Sequence, residues 1–385
     1  MTAPQVNDNP SKIVLINEDE APLDGDDVSN DDVDIASPFD ITQIRIASKP
    51  SQLDTLIKRL KNSEIDLAPD FQRASGIWTD KAQSRLIESL ILRIPIPSFY
   101  FDATNDSKWV VVDGLQRLTA IDRFVIKEEL ALTELEFLTD YNGKKFSSLP
   151  RNFIRNIEEA DITMYLIQEG TPTEVKFNLF KRINTGGLPL SAQEIRHALN
   201  QGGITQLLKE LSESKEFKKA TAYGISPNRM GDKECITRFF AFMLNNPESY
   251  DQYDFDFFLH SSMHKINAMP KAKQKEFSNA FLTAMNRATK IFGNDAFRKR
   301  YKEGDGRYPI SKSLFETWAV NLANISEDEA NTLIKRKISL KKKFINLMNT
   351  DNKFEMAISQ GTGAKSRVRY RFAAIKKIIA EVIDA

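Results

Sequence analysis

The 385-residue chain has one cysteine, Cys235, and three histidines, which argues against an internal disulfide and against a structural zinc site. A single thiol cannot form an internal disulfide, and three histidines without cysteine partners do not favour a structural zinc site. No apolar run in the sequence approaches the ~18 residues typical of a membrane-spanning helix. The N-terminus also lacks the basic and then apolar order of a secretory signal. We therefore expect a cytoplasmic protein that contacts no membrane.

Basic and aromatic residues are scarce at the N-terminus, where the chain is strongly acidic. Residues 1–40 contain eleven Asp or Glu and one Lys, a net charge of −10, whereas the remainder carries 53 basic and 42 acidic side chains, or +11. The segment EDEAPLDGDDVSNDDVD (residues 18–34) has no aromatic side chain and cannot bury enough apolar area to offset the entropy of ordering. We interpret residues 1–40 as a disordered acidic tail. It either solubilises the chain or covers a basic surface of the same chain as a nucleic-acid mimic.

The hydrophobic pattern divides the remaining chain into two parts. Residues 41–205 mix helix and strand patterns, and the region beyond shows mostly helical spacing. The first part contains candidate helices at residues 50–60 and after Thr79, and candidate strands in PIPSFYF (residues 95–101), at residues 109–112 and at residues 162–167. Capping boxes at Thr171, Ser191 and Ser326 open further helices, the last of them long. We predict an α+β fold: a mixed α/β domain over residues 41–205, then an all-α domain over residues 206–385.

The stretch VVVDGLQRLTAIDRF (residues 110–124) indicates a strand, a tight turn and a helix. In one interpretation Asp113 caps the helix and Gln116 bonds back to the cap, which leaves a solvent-facing Arg117 in the first turn. There the helix dipole repels a cation by ~0.3–1 kcal/mol, so removing Arg117 should leave folding unharmed or slightly improved. In the other interpretation Arg117 meets an anion held at the helix end, for which phosphate is the natural candidate. The residues alone leave both open.

Three motifs occur together in a defined order: PDFQR (residues 69–73), DGLQRLTAI after a hydrophobic strand, and FKRINTGG (residues 180–187). Together they resemble the N-terminal domain family of GmrSD-type modification-dependent restriction enzymes, within the ParB/sulfiredoxin-like superfamily, over roughly residues 45–205. The resemblance implies a ParB-like domain that binds and hydrolyses a nucleoside triphosphate, GTP being favoured, with Mg²⁺. It also implies a role in defence against foreign DNA such as phage.

The family's Asp-Gly-x-Gln-Arg motif maps onto Asp113, Gly114, Gln116 and Arg117. By resemblance Asp113, Gln116 and Arg117 are catalytic, Asp113 also holds the metal, and Arg117 neutralises phosphate charge. The implied nucleotide contacts are Gln72, Arg73, Gly114, Arg117, Asn184, Thr185, Gly186 and Gly187. From the residues alone, Gln72 and Arg73 equally suit a polar surface loop, and residues 184–187 suit a helix end and a turn. Leu115 stands where the commonest form of the motif has glutamine, so the resemblance supports binding more firmly than hydrolysis.

Residues 335–377 contain thirteen Lys or Arg against two acidic residues, with Phe344, Tyr370 and Phe372 interleaved and a glycine-containing loop at residues 361–367. Such a run is either a solvated helix face or a surface that follows a phosphate backbone. The candidate DNA contacts are Lys341, Lys342, Lys343, Lys365, Arg367 and Arg369.

DNA is thus the expected partner. The GmrSD enzymes also carry a C-terminal HNH nuclease domain, and none of the three histidines here lies in such a motif. We therefore expect any cutting activity in a separate nuclease or effector protein, while a homo-oligomer stays open. Two other functions compete: a non-catalytic, nucleotide-gated DNA-binding module, and a metal-dependent nuclease that uses Asp70 and Asp113.

Deletion of residues 1–40 tests the two interpretations of the acidic tail. If the tail adds no packed structure, the truncated protein should keep the thermal midpoint of the full chain. If the tail competes for a basic surface, truncation should also tighten binding to duplex DNA at low salt. Differential scanning fluorimetry and fluorescence anisotropy measure the two quantities. Equal or weaker DNA binding by the truncated protein would argue against competition.

Overall fold

The computed structural model describes residues 45–67, 78–183, 190–252 and 254–385, without the side chains of Asp66, Thr173 and Glu174. The predicted acidic tail therefore lies outside the described residues. So do several predicted site residues: Asp70, Gln72, Arg73, Asn184, Thr185, Gly186 and Gly187. Among the described helices, none is long and apolar enough to cross a bilayer.

A five-stranded mixed sheet forms the centre of the first part. Its strands are β1 (Ile46–Gln52), β2 (Ile65–Asp66), β3 (Phe99–Asp102), β4 (Trp109–Asp113) and β5 (Asp161–Ile167), in the order β1-β5-β3-β4-β2. The β1–β5 and β3–β4 pairs are antiparallel, whereas β5–β3 and β4–β2 are parallel. In this register Tyr100 lies between Tyr165 on one side and Asp113 on the other.

Helices connect these strands and cover both faces of the sheet. They are α1 (Leu53–Lys61), α2 (Asp80–Ile91), α3 (Leu115–Ile121) with its π-helical continuation Asp122–Ile126, α4 (Arg151–Glu158), α5 (Thr173–Ile183) and α6 (Ala192–Leu199). Side chains alternate across a strand, so Val111 enters a core with Leu53, Ile87 and Leu118, while Val112 packs with Phe177 and Phe180. Two separate hydrophobic cores therefore hold the end of β4 in place.

From residue 203 onward the described regular elements are helices, apart from one isolated bridge between Arg298 and Ile310. They are α7 (Gly203–Glu213), α8 (Lys215–Ala220), α9 (Gly231–Leu244), α10 (Phe255–Asn267), α11 (Lys271–Phe292), α12 (Lys312–Ala323), α13 (Glu327–Lys335), α14 (Lys337–Thr350), α15 (Asn352–Ser359) and α16 (Lys365–Ile383). Short 3-10 turns lie at Thr139–Tyr141, Phe146–Ser148, Asn228–Met230, Pro247–Ser249 and Gly293–Asp295.

A buried ionic network crosses the core of the helical part. Glu316 on α12 bonds both Arg371 on α16 and Arg238 on α9, the latter at 3.2 Å. Glu234 contacts Arg238 at 2.8 Å and Lys312 at 3.0 Å. Burial opposes the ionisation of Glu234, but these two cations outweigh it and lower the pKa of the carboxyl. Three helices are thereby fixed to one another, since removing one partner leaves a buried charge unpaired.

The α+β prediction is confirmed: strands and helices mix in the first part, and helices make up the last. Thr79 and Ser191 cap their helices as expected. The helix predicted at residues 50–60 is wrong at its start, because residues 50–52 pair with β5 as the end of β1. The long helix predicted from Ser326 is in fact two, since α13 ends at Lys335 and α14 begins at Lys337.

The position of Glu88 leads to a stability prediction. Its carboxylate is 3 % exposed and accepts the backbone N–H groups of Glu136, Phe137 and Leu138 at 2.8–3.0 Å. Burial raises the pKa of Glu88, and the three backbone donors outweigh it to leave the pKa below its ordinary value. A carboxyl with a lowered folded pKa stabilises the protein above its unfolded pKa, and that contribution is lost as the pH falls.

Glu88→Gln should therefore lower the free energy of unfolding at pH 7 by about 1.5–3 kcal/mol, because charge-assisted bonds are lost. The deficit relative to the wild type should shrink as the pH falls below about 4.3, the ordinary glutamate pKa. Urea unfolding at several pH values measures this. Glu136→Gln, at an exposed site beside Arg85, is the control and should cost less than about 1 kcal/mol. A deficit that does not depend on pH would contradict the assignment.

Candidate functional site

The candidate site lies where β4 ends and α3 begins. Gly114 turns the chain there with a φ of +100°, a left-handed conformation that favours glycine. A Cβ at this position would come within 2.5 Å of the Phe99 ring. Glycine at this position is thus required by both backbone conformation and close packing, and the first turn of α3 lies beside the start of β3.

Arg117 is the centre of this arrangement. Its guanidinium donates to a carboxylate oxygen of Asp113 at 2.7 Å, to the Ser98 carbonyl at 3.2 Å and to the Pro97 carbonyl. It also lies over the Phe99 ring, 4.8 Å from the centroid, and the residue is 8 % exposed. Burial lowers the pKa of Arg117, and the charge of Asp113 opposes that shift. The side chain therefore joins the end of β4 to the chain that enters β3.

The Asp113 side chain keeps 31 % of its surface exposed while one carboxylate oxygen bonds Arg117. Tyr100, its register partner on β3, stacks on Tyr165 with ring centroids 4.7 Å apart. Burial, Tyr165 and Asp113 together raise the pKa of the Tyr100 hydroxyl. Tyr100 and Tyr165 were not predicted as site residues from the sequence, which indicated only that both lie in strands. The site thus offers one oriented carboxylate beside a protonated phenol.

Gln116 and Leu115, at the start of α3, contact two further parts of the protein. The Gln116 side-chain oxygen accepts the backbone N–H of Trp78, which follows the PDFQR motif in the sequence, at 3.1 Å. Leu115 is half-buried, and it packs with Val110 against Ala198 and Met230. Leu115 consequently joins the turn to α6 and the start of the helical part.

The carboxylate of Asp256 contacts both helices that adjoin the third motif, α5 before it and α6 after it. Asp256 on α10 contacts Lys181, near the end of α5, at 3.3 Å, and Arg196 on α6 at 2.9 Å. Burial raises the pKa of Asp256, but Arg196 and Lys181 outweigh it and leave it lowered. Residues 184–187 themselves lie outside the described ranges. Both helices that adjoin them are nevertheless fixed to the helical part.

The candidate DNA contacts differ in their surroundings. Lys343 pairs with Glu381 at 2.6 Å, Lys365 pairs with Asp251 at 2.7 Å, and Arg369 donates to the Tyr250 carbonyl at 2.7 Å. Arg367 bonds the Gln360 carbonyl. Lys342 is exposed, whereas burial, Lys337 and Arg300 lower the pKa of the half-buried Lys341.

The aromatic residues of this basic segment and its glycine-containing loop are not placed as the sequence pattern suggested. Phe344 and Phe372, at 4 % and 3 % exposure, belong to the helical core. The loop predicted at residues 361–367 ends early, because residues 365–367 form the first turn of α16.

The interpretation of Asp113 as a helix cap with a solvent-facing Arg117 is also wrong. Gly114 occupies the cap position without a side-chain bond, and Asp113 and Gln116 bond Arg117 and Trp78 instead. The expectation that removing Arg117 leaves folding unharmed loses its basis, because pairing with Asp113 compensates the dipole repulsion on which it rested.

The residues present fit a magnesium ion only in part. Within the described ranges no group of three or more His, Cys, Asp or Glu side chains could hold a metal. Mg²⁺ is commonly held by one or two carboxylates together with substrate phosphates, which does not require such a group. Asp113 could supply one such carboxylate.

Comparison with protein-family models matches residues 53–200 to the GmrSD restriction endonuclease N-terminal domain. The matched region contains the whole site, from α1 to the end of α6. A search of curated proteins gives no match to the chain.

The burial of Arg117 leads to a prediction about stability. Arg117→Ala should lower the free energy of unfolding by about 1–3 kcal/mol, because two carbonyls and Asp113 lose their donor. Arg151→Ala is the control: Arg151 on α4 pairs with Glu158 at the surface, so the cost should stay within about 1 kcal/mol. Chemical denaturation measures both. An Arg117 variant as stable as the wild type would contradict the assigned contacts.

Proposed function

We propose that the chain is a component of a restriction-type defence system and that its first domain binds a nucleoside triphosphate with Mg²⁺, since residues 53–200 match the GmrSD restriction endonuclease N-terminal domain. The observation that carries the proposal is the half-exposed carboxylate of Asp113, held at the end of β4 by a buried arginine. An oriented carboxylate that is partly open to solvent is the kind of group that binds a magnesium–phosphate complex.

In this proposal Asp113 is the metal ligand, and bound Mg²⁺ would neutralise phosphate charge. Arg117 acts mainly by positioning, since its donors already bond Asp113 and two carbonyls. Gln116 bonds the backbone at Trp78, and Gln72 and Arg73, which precede Trp78 in the sequence, remain proposed nucleotide contacts. Asn184, Thr185, Gly186 and Gly187 remain proposed contacts from the third motif.

Hydrolysis of the bound nucleotide has less support than binding. Leu115, at the position where the family's commonest motif has glutamine, packs against Ala198 and Met230 and carries no polar group to orient water. A domain that binds nucleotide without rapid turnover would act as a switch that controls a separate effector. The competing metal-dependent nuclease has less support, because the described carboxylates form no cluster around Asp113.

Nucleotide titration of two aspartate variants tests the proposal. With GTP, ATP, CTP or UTP and Mg²⁺, Asp113→Asn should bind the preferred nucleotide about one to two orders of magnitude more weakly than the wild type, because a charge-assisted contact is lost. Asp161→Asn, at the exposed first residue of β5, should bind like the wild type.

Isothermal titration calorimetry measures both affinities, and a phosphate-release assay on the same samples separates binding from hydrolysis. Chelation of Mg²⁺ should weaken the wild type and leave Asp113→Asn nearly unchanged. No binding by the wild type, or equal affinities in Asp113→Asn and Asp161→Asn, would overturn the proposal.

A further inference from the structure

We propose that the hydroxyl groups of Tyr100 and Tyr165 bind phosphate oxygens of the nucleotide at Asp113. Neither tyrosine belongs to the three sequence motifs, and neither carries a role in the nucleotide site described above. The inference rests on the proposed function and deepens it, because it assigns two uncharged hydrogen-bond donors to the phosphate chain. These donors recognise the phosphates and not the nucleobase.

Strand pairing places the two tyrosines in one row with Asp113. Tyr100 on β3 is the register partner of Asp113 on β4 and of Tyr165 on β5, so the three residues lie on three adjacent strands. A register shift between Tyr100 and Phe101 leaves Val112 without a partner on β3. Such bulges often lie next to active sites, where they re-aim a side chain. Neighbouring strands are about 4.8 Å apart, so a chain of linked phosphates can extend from Asp113 across both tyrosines.

The two tyrosine rings form a stack on one face of the sheet. Their centroids are 4.7 Å apart, and the angle between the ring planes is 16°. Tyr100 packs at the edge of the small core around Phe177 and Phe180. Ile183 and Leu190, between which residues 184–187 of the third motif lie in the sequence, pack against the same core. Tyr100 is therefore joined to the β4–α3 turn through its strand pairing and to the flanks of the third motif through a shared core.

The two hydroxyl groups of this stack bond no other group in the described part of the chain, although both residues are half-buried. Neither hydroxyl oxygen is sealed from solvent. Two tyrosines of the helical part differ in this respect, because Tyr250 donates to the Gly363 carbonyl at 3.3 Å and Tyr370 donates to an Asp351 carboxylate oxygen at 2.7 Å. A tyrosine hydroxyl that is withdrawn from bulk water usually has a hydrogen-bond partner. The stack therefore offers two donors to an acceptor from outside the protein.

A phenol is well suited to bind a phosphate beside a carboxylate. Burial, Tyr165 and Asp113 raise the pKa of Tyr100, so this hydroxyl keeps its proton at neutral pH and acts as a donor. Uncharged hydroxyls commonly bond phosphate oxygens, and a bond to a charged oxygen is stronger than one between neutral groups. A cation in the same place would be attracted to Asp113 and would compete with a metal for it. The two phenols can therefore bind phosphate while the carboxylate stays available to a metal.

Two conservative variants test the inference, because phenylalanine keeps the ring stack and removes only the hydroxyl. Tyr100→Phe and Tyr165→Phe are compared with Tyr141→Phe, which changes a half-buried tyrosine of the same domain whose ring lies 5.0 Å from Phe153. Isothermal titration calorimetry with Mg²⁺ uses two kinds of probe. The first is inorganic tripolyphosphate, which has no nucleoside, and the second is each of GTP, ATP, CTP and UTP.

Tyr100→Phe should bind tripolyphosphate and the preferred nucleotide about 10- to 100-fold more weakly than the wild type, because a hydrogen bond to a charged oxygen is lost. Tyr165→Phe should change both affinities in the same direction, and Tyr141→Phe should bind both probes like the wild type. Differential scanning fluorimetry should give all three variants the thermal midpoint of the wild type, since no protein contact of Tyr100 or Tyr165 is removed.

Wild-type affinity for tripolyphosphate in either variant of the stack would overturn the contact assigned to that tyrosine. This holds even if nucleotide affinity falls, because the loss would then involve the nucleoside. Failure of the proposed metal ligand gives a different pattern: binding weakened in Tyr100→Phe but unchanged in Asp113→Asn would remove Asp113 from the site and leave the tyrosine contact standing. No binding of any probe by the wild type would overturn both proposals.

Discussion

The ion pair between Asp113 and Arg117 is the contact on which the arrangement of the site depends. Burying a guanidinium costs free energy unless each of its donors finds an acceptor. The carbonyls of Pro97 and Ser98 and the Asp113 carboxylate supply those acceptors, and Gly114 leaves room for the Phe99 ring beneath the arginine. The acceptors stabilise the buried arginine only where the glycine turn brings the arginine within their reach. The turn between β4 and α3 is therefore specified by charge compensation as much as by hydrophobic packing.

The same turn is connected to the helical part of the protein. Leu115 contacts Ala198 and Met230, and Asp256 holds both helices that adjoin the third motif through Lys181 and Arg196. The helices behind Asp256 are fixed in turn by the buried network around Glu316. A displacement of α5 or α6 relative to α10 would have to break or stretch the ion pairs of Asp256. The two parts of the chain are consequently joined at the turn and at the two helices that flank the third motif.

Local sequence rules predicted much of the fold and less of the site. The caps at Thr79 and Ser191, the strands β3, β4 and β5, and the helical second part follow from patterns within a few residues. The partners of Arg117 on residues 97–99 are far away in the chain and are brought near only by strand pairing. Burial of Phe344 and Phe372 likewise depends on tertiary packing, because an aromatic residue beside lysines has the same sequence pattern on a surface or in a core.

An arginine whose donors bond the protein differs in function from one that waits for a ligand. Three protein acceptors already bond the Arg117 guanidinium, and turning it toward a phosphate would leave the Asp113 carboxylate or a backbone carbonyl without its donor. Its motif position is explained by its contact with Asp113, since it holds one carboxylate oxygen at the end of β4. Under the proposed function, the positive charge that a triphosphate requires would come from the bound metal and from the PDFQR segment, which precedes Trp78 in the sequence. The Asp-Gly-x-Gln-Arg turn thus orients one carboxylate through Arg117 and holds the backbone at Trp78 through Gln116.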